Sequence, residues 1–215
     1  MPDLIDLTHP LEHGQPNFPY DPKLSVLVHN TVESIGYNIT QLSMSTHQGT
    51  HLDAPFHFFN DGRPVDQLPL QWCFGPAVLI DLAPGGALPA RTPITIDMLQ
   101  PHAEKFTPGA RVIYRTGWDR AFGTPEFFAA FPSLQLEAAR WIADRGIRLL
   151  GMDTPTPGTD WLEIHHALLA EGIEIVIVEG LKGLERLPER FTLSALPLSI
   201  KGRDGSPIRA VAIVE

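Results

Sequence analysis

The chain reads as an α/β fold with one mostly parallel sheet and one antiparallel sheet. Three observations predict it. The second half alternates apolar, strand-like runs with amphipathic helical stretches, the pattern of parallel strands joined by crossover helices. The first half carries strand-like segments broken by proline and looks antiparallel. Finally, 21 prolines and 18 glycines among 215 residues are many for a helical bundle and suit a loop-rich mixed fold. These residues are dispersed, no linker or low-complexity segment separates two halves, and no internal repeat occurs. Residues 1–215 are therefore read as one domain.

The elements follow in chain order. Pro16-Asn17-Phe18-Pro19-Tyr20-Asp21-Pro22 cannot be helix, because proline removes amide donors and pushes its predecessor to extended geometry. Ala77 to Leu82 is a short apolar run ended by Pro84-Gly85-Gly86 and reads as a buried strand. Val112 to Thr116 is another. Ser133 is placed to cap a helix running to about Ala143, with Leu134, Ala138, Trp141 and Ile142 at helical spacing and Gly146 as the stop. Ile147 to Met152 reads as a strand, Trp161 to Ala170 as a short helix, and Ile173 to Val178 as a β-branched strand. From Arg190 to Glu215 short strands flank Lys201-Gly202-Arg203-Asp204-Gly205, a hairpin-like turn signal.

Composition excludes several function classes. Hydrophobic residues at 43% and charged residues at 19% rule out global disorder. Sixteen basic residues against 25 acidic ones, a net charge of −9, argue against nucleic acid or an anionic membrane as the main partner. A small-molecule substrate is unaffected by that argument. Cys73 is the only cysteine, so no internal disulfide framework exists. There is no apolar run long enough to span a bilayer, and the first residues lack the basic and apolar regions of a signal peptide. The cytoplasm is the expected location.

The chemistry concentrates in two places. The first is Thr46-His47-Gln48-Gly49-Thr50-His51-Leu52-Asp53-Ala54-Pro55-Phe56-His57, with three imidazoles and an aspartate between His47 and His57. One histidine alone is more often a satisfied core or surface group. Three so close, beside a carboxylate and between glycine and proline, form a ligand pattern suited to Zn, Mn or Fe. In extended chain His51 and Asp53 share a face, and His47 can join them. No thiolate is near, which excludes a Cys-type structural zinc site. The second place is His165-His166, followed by Glu179 after four apolar residues at a strand end. Neighbouring helical side chains diverge by about 100°, so at most one of the two histidines faces a given site. Asp153, also at a strand end, reads as an organiser of its loop. Phe18, on a proline-fixed loop, reads as a lid or pocket residue, and Phe56 and Phe59 read as core.

The twelve residues from His47 to Phe58 resemble the HxGTHxDxPxHF motif of the cyclase family, whose members include metal-dependent kynurenine formamidase (arylformamidase) and isatin hydrolase. Asp6-Leu7-Thr8-His9-Pro10, Arg115-Thr116-Gly117-Trp118, Gly151-Met152-Asp153-Thr154-Pro155, His165-His166, Val178-Glu179-Gly180 and the segment from Leu196 to Ala210 follow in family order. The resemblance implies a swivelling β/β/α fold, usually oligomeric as dimer or tetramer. It implies that His47, His51 and Asp53 hold one divalent ion, that Asp53 bridges to a second completed by His165 and Glu179, and that His57 is the acid/base. One or two Zn2+ ions, or a single Mn2+, are compatible with it. This chain departs from the formamidases in carrying Phe18 where they carry Trp, and in a spacing from His165-His166 to Glu179 that is about two residues longer.

The expected activity is hydrolysis of a small aryl or cyclic amide, N-formylkynurenine first, by metal-activated water with His57 moving the proton. An isatin-type lactam is the alternative substrate. A second enzyme class is the Fe(II)/2-oxoglutarate oxygenases, whose His-x-Asp…His triad fits His51, Asp53 and His165. That class leaves His47 and His57 without a role and needs an arginine for the keto acid, for which Arg186 and Arg190 are nearest. A family member that binds its ligand without turnover is the non-enzymatic alternative.

Overall fold

The computed structural model describes residues 2–215. It contains thirteen strands: β1 Asp3–Asp6, β2 Ser25–Asn30, β3 Ile39–Ser43, β4 His51–Asp53, β5 Phe74–Asp81, β6 Pro93–Ile94, β7 Arg111–Arg115, β8 Ser133–Leu134, β9 Leu149–Met152, β10 Val176–Glu179, β11 Arg190–Ser194, β12 Gly205–Pro207 and β13 Val211–Val214. Nine of them form one curled sheet in the order β1-β13-β11-β5-β7-β9-β10-β4-β12. The parallel strands β5, β7, β9 and β10 are its middle. Antiparallel strands extend it on both sides. The parallel and antiparallel parts expected from the two halves of the chain are thus joined in a single continuous sheet. The pair β2–β3 is a separate antiparallel hairpin, and β6–β8 a short parallel pair.

Strand periodicity divides the core in two. On β7, Ile113 points to one face while Val112 and Tyr114 point to the other. On β10, Val176 and Val178 take the first face and Ile177 the second. The second face is covered by the helices Leu136–Ala143 and Trp161–Leu169, which bury Ala138, Ala139, Ile142, Ile164 and Leu168 against it. The first face packs on Leu7, Val65, Leu184, Leu187 and Phe191. Burying each such Leu or Ile contributes about 1.5–3 kcal/mol, so both faces hold the sheet.

Two local readings change. Ser133 does not cap the helix. It pairs with Pro93 in β8, and its hydroxyl accepts the Thr159 amide at 2.8 Å. The helix starts two residues later, at Leu136, after Gln135. The turn at residues 201–205 does not join a hairpin either: β11 pairs with β5 and β13, whereas β12 crosses to β4. The hairpin the structure does contain, β2–β3, has every residue of β3 exposed. Phe59 packs on the helix-side core as expected, while Phe56 is half-buried outside the core clusters.

Candidate metal centre

The strand alternation that builds the core also builds the site. Leu52 of β4 points into the first core face, so His51 and Asp53 point to the helix side. β4 runs antiparallel to β10, with His51 opposite Glu179 and Asp53 opposite Ile177. Glu179 follows Val178, which faces the first core, and therefore also turns to the helix side. There the Trp161–Leu169 helix delivers His165. Two adjacent strands and one helix thus aim four polar side chains at one point. Gly180 ends β10 at φ +63°, where a Cβ would lie 2.8 Å from the Gly49 oxygen. A glycine is needed for this close approach.

His51 Nε2 lies 3.2 Å from Glu179 Oε2 and 3.4 Å from Asp53 Oδ1. His165 Nε2 lies 3.5 Å from both Asp53 Oδ2 and Glu179 Oε1. The far nitrogen of each ring is fixed by backbone: His51 Nδ1–H donates to Gly49 O at 2.9 Å, and His165 Nδ1–H to Trp161 O at 2.6 Å. Both rings therefore turn Nε2 toward the carboxylates, the tautomer a metal ligand needs. His47 presents Nδ1 to Asp53 Oδ1 at 2.7 Å. Its Nε2–H donates to Asp204 Oδ2 at 2.6 Å. His57 stacks on His47 with ring centroids 3.8 Å apart. His166, by contrast, packs its ring between Phe58 and Phe59, away from the carboxylates.

The donor set fits a divalent cation. It consists of imidazole nitrogens and carboxylate oxygens, nearly all buried, and Glu179 Oε1 is buried without a hydrogen-bond partner. An orphaned buried carboxylate oxygen is costly unless something positive faces it. Without a metal, protons take that place. Burial opposes a charged ring at His165, but Asp53 and Glu179 outweigh it and raise the pKa to about 9. At His47 burial is likewise overcome, by Asp53 and Asp204, to about 10. His51 is raised in the same manner by Glu179 and Asp53. Asp53 pays for its burial through His47 and His165, which hold its carboxyl well below the usual range. His57 differs: burial dominates and lowers it to about 4 despite Asp53, leaving a neutral imidazole at pH 7.

The corner opens into a cavity of about 250 Å³. Histidines 47, 51, 57 and 165 and Glu179 form its polar end, while Phe18, Phe58, Phe122, Phe128 and Trp161 supply aromatic walls. Phe18 lines this cavity. Phe122, Phe128 and Trp161 were not singled out by the sequence, nor was Asp204. Asp153 organises a loop: it accepts the Thr116 and Gly117 amides at 2.7–3.0 Å. Burial pushes its pKa up to about 6, against the pull of the Thr116 donors. From that loop Trp118 donates to the Phe127 carbonyl at 3.0 Å and steadies the aromatic wall. Arg115 is structural, bonded to Asp81 and to the carbonyls of Ala83 and Gly86. Neither Arg186 nor Arg190 lines the cavity, so the oxygenase reading has no keto-acid partner among the described residues.

The chain is similar to known proteins over most of its length. The sequence model of the family described as Putative cyclase matches residues 5–159. Kynurenine formamidase from Bacillus mycoides (strain KBAB4) is 35% identical over 218 residues, covering 96% of this chain and 95% of its own. Among solved structures, isatin hydrolase A from Labrenzia aggregata bound to benzyl benzoate superposes with a TM-score of 0.87 at 27% identity, over 99% of this chain and 94% of that one. A potential metal-dependent hydrolase with cyclase activity gives 0.80 at 26%, over 100% and 99%.

Proposed function

The chain belongs to the cyclase family, and on that premise we propose that it is a metal-dependent hydrolase of a small aryl amide, with N-formylkynurenine the first candidate substrate. The observation that carries the reading is the corner itself. His51 and His165 each bring Nε2 within 3.5 Å of both Asp53 and Glu179, with one Glu179 oxygen unsatisfied, at the end of an aromatic-walled cavity. In this reading His47, His51 and Asp53 hold one divalent ion, and Asp53, His165 and Glu179 a second. A bound Zn2+ or Mn2+ supplies Lewis acidity toward the amide carbonyl and lowers the pKa of a bound water toward ~7.

The residues of the chain do the rest. Phe18 and the other aromatic side chains take the flat ring of the substrate. His57, neutral at pH 7, accepts the proton of the attacking water and gives it to the departing amide nitrogen. It stacks on His47 and lies close enough to His47 and Asp53 to be a third donor there; in this reading it moves the proton instead of holding the ion. The test is N-formylkynurenine hydrolysis followed by absorbance, before and after chelation. Turnover that chelation abolishes and Zn2+ or Mn2+ restores is expected. No turnover by the metal-loaded protein removes the formamidase assignment. The aromatic walls also suit an isatin-type lactam, so isatin is the second substrate of the same assay. Tight binding of both without turnover would make the protein a ligand-binding member.

Three further parts belong to the proposal. Residues 1–215 act as one hydrolase domain, because the nine-stranded sheet recruits β1 and β13 from opposite ends of the chain. The protein is a homodimer through the β2–β3 hairpin. Leu27, Val28, Val32, Ile35, Tyr37, Ile39 and Leu42 are 43–73% exposed there, and a two-stranded ribbon is marginal without packing. The hairpin connects directly to the cavity-lining segment from Pro16 to Asp21, which gives dimerisation a route to the site. Sedimentation tests this. No helix among the described residues is long and apolar enough to cross a membrane, and a cytoplasmic location is in keeping with the lone, buried Cys73.

A further inference from the structure

We infer that Asp204 is the positioning residue for His47: its carboxylate fixes the imidazole so that Nδ1 is directed at Asp53, and so sets how tightly the corner binds a divalent ion. The inference rests on the metal-centre reading above. In the sequence Asp204 belongs to a turn, Lys201 to Gly205, that carries no evident chemistry. In the structure that turn is tied to the ligand strand. Ala54 N–H donates to Asp204 O at 2.8 Å, Val65 N–H to Arg203 O at 2.8 Å, and Gly202 N–H to Asp66 Oδ1 at 2.8 Å. Gly205 pairs with Asp53 across the sheet. A Cβ on Gly205 would come within 2.7 Å of His47 Cε1 and 2.6 Å of Leu52 O, so the turn lies directly against the ring.

The carboxylate then meets His47 on its outer side. Oδ2 accepts His47 Nε2–H at 2.6 Å and the Thr46 hydroxyl at 2.8 Å. Without a metal the charged ring can donate from both nitrogens; a bound cation would displace the Nδ1 proton. The remaining N–H on Nε2 then stays with Asp204 and the Nδ1 lone pair is directed to the Asp53 side, the orientation in which His47 can ligate. His51 and His165 receive the same service from backbone carbonyls. His47 differs from them in meeting a carboxylate, which is the stronger acceptor and raises the basicity of the ligating nitrogen. The Asp204 side chain is 31% exposed, so it stays charged at little desolvation cost.

The test is the metal dissociation constant of the full chain, by competition with a chromophoric chelator, for Zn2+ and Mn2+ separately. Asp204→Asn is expected to weaken binding by about 10–100-fold, with the metal-free protein still cooperatively folded. In the Zn2+-loaded variant the 15N shift of His47 Nε2 should move, reporting the lost carboxylate acceptor, and Asp204→Glu should restore part of the affinity. Thr46→Val keeps the carboxylate but removes one anchor, and should give a smaller loss in the same direction. Unchanged affinity in Asp204→Asn overturns the inference. So does a loss accompanied by an equal loss of stability with no change at the His47 ring. A wild-type chain that takes up neither ion overturns the metal reading itself, which a normal wild type beside an unaffected variant does not.

Discussion

Strands β3 and β4 are separated by seven residues. β3, Ile39 to Ser43, is exposed at every position, pairs only with β2, and shows Ile39 and Leu42 to solvent. β4, His51 to Asp53, is buried at every position, pairs with β10 on one side and β12 on the other, and carries an imidazole and a carboxylate. The usual placement of apolar and polar residues is inverted between them. The difference teaches that polarity marks function here by where it is buried. β4 can keep His51 and Asp53 inside because each finds an opposite charge or a backbone acceptor there. β3 leaves its apolar groups to solvent, and the proposed dimer would cover them.

The largest break of this contrast is to remove the charge that makes β4 tenable. Asp53→Ala takes away the carboxylate shared by His47, His51 and His165, and should abolish both metal uptake and turnover. Metal analysis that finds full occupancy would refute its ligand role. His57→Ala, in the turn directly after β4, should keep metal content and lose about 10²–10⁴-fold in kcat; retained turnover removes His57 from proton transfer. Leu52→Ala tests the other face of β4. Leu52 is fully buried, and the variant should unfold at lower denaturant by about 2–5 kcal/mol.

His9 extends the comparison to a buried histidine with no carboxylate. It stacks flat on Phe122 at 3.6 Å, and burial, with Lys182 adding to it, lowers its pKa to about 4. The folded state therefore binds fewer protons than the unfolded one between about 6.5 and 4. His9 stability is complete above pH 6.5 and lost as pH falls through that window. His9→Phe keeps the stack and should remove roughly 2–3 kcal/mol of acid sensitivity across it; melting curves with an unchanged pH slope would refute this. The smallest effect on stability should come from β3 and its partner strand. Val28→Lys with Ile39→Lys should dissociate the dimer in sedimentation while changing monomer stability by less than about 0.5 kcal/mol. A wild type that is already monomeric would show that nothing covers the hairpin.

The sheet was legible wherever the apolar period was strong. The parallel middle, the two packed helices and the strand-end position of Glu179 follow from runs such as Val176 to Val178 and from the spacing of Ala138 and Ile142. Ser133 misled because a serine before an apolar period has the form of a cap, while its hydroxyl is used by a loop 26 residues away. The His47–His57 cluster was legible because ligand chemistry there is local. Asp204 was not, since it reaches His47 across 157 positions and sits in a turn whose composition signals only a turn. Trp161 and Phe122 escaped for a related reason: which aromatic side chains wall a cavity depends on packing that pattern alone does not encode.

The pairing of β4 has a consequence for biosynthesis. Its long-range partners, β10 and β12, begin at Val176 and Gly205, more than a hundred residues downstream. At about 5–20 residues per second, the nascent chain carries its histidine-rich segment outside the ribosome for roughly ten seconds before the strands that complete the corner exist. During that interval His47, His51 and Asp53, if they ligate as proposed, would be a local chelating peptide without His165 or Glu179. Ion selection is then left to the finished fold, and chains arrested on the ribosome before Val176 should release ions that the full-length protein keeps through the same chelator wash.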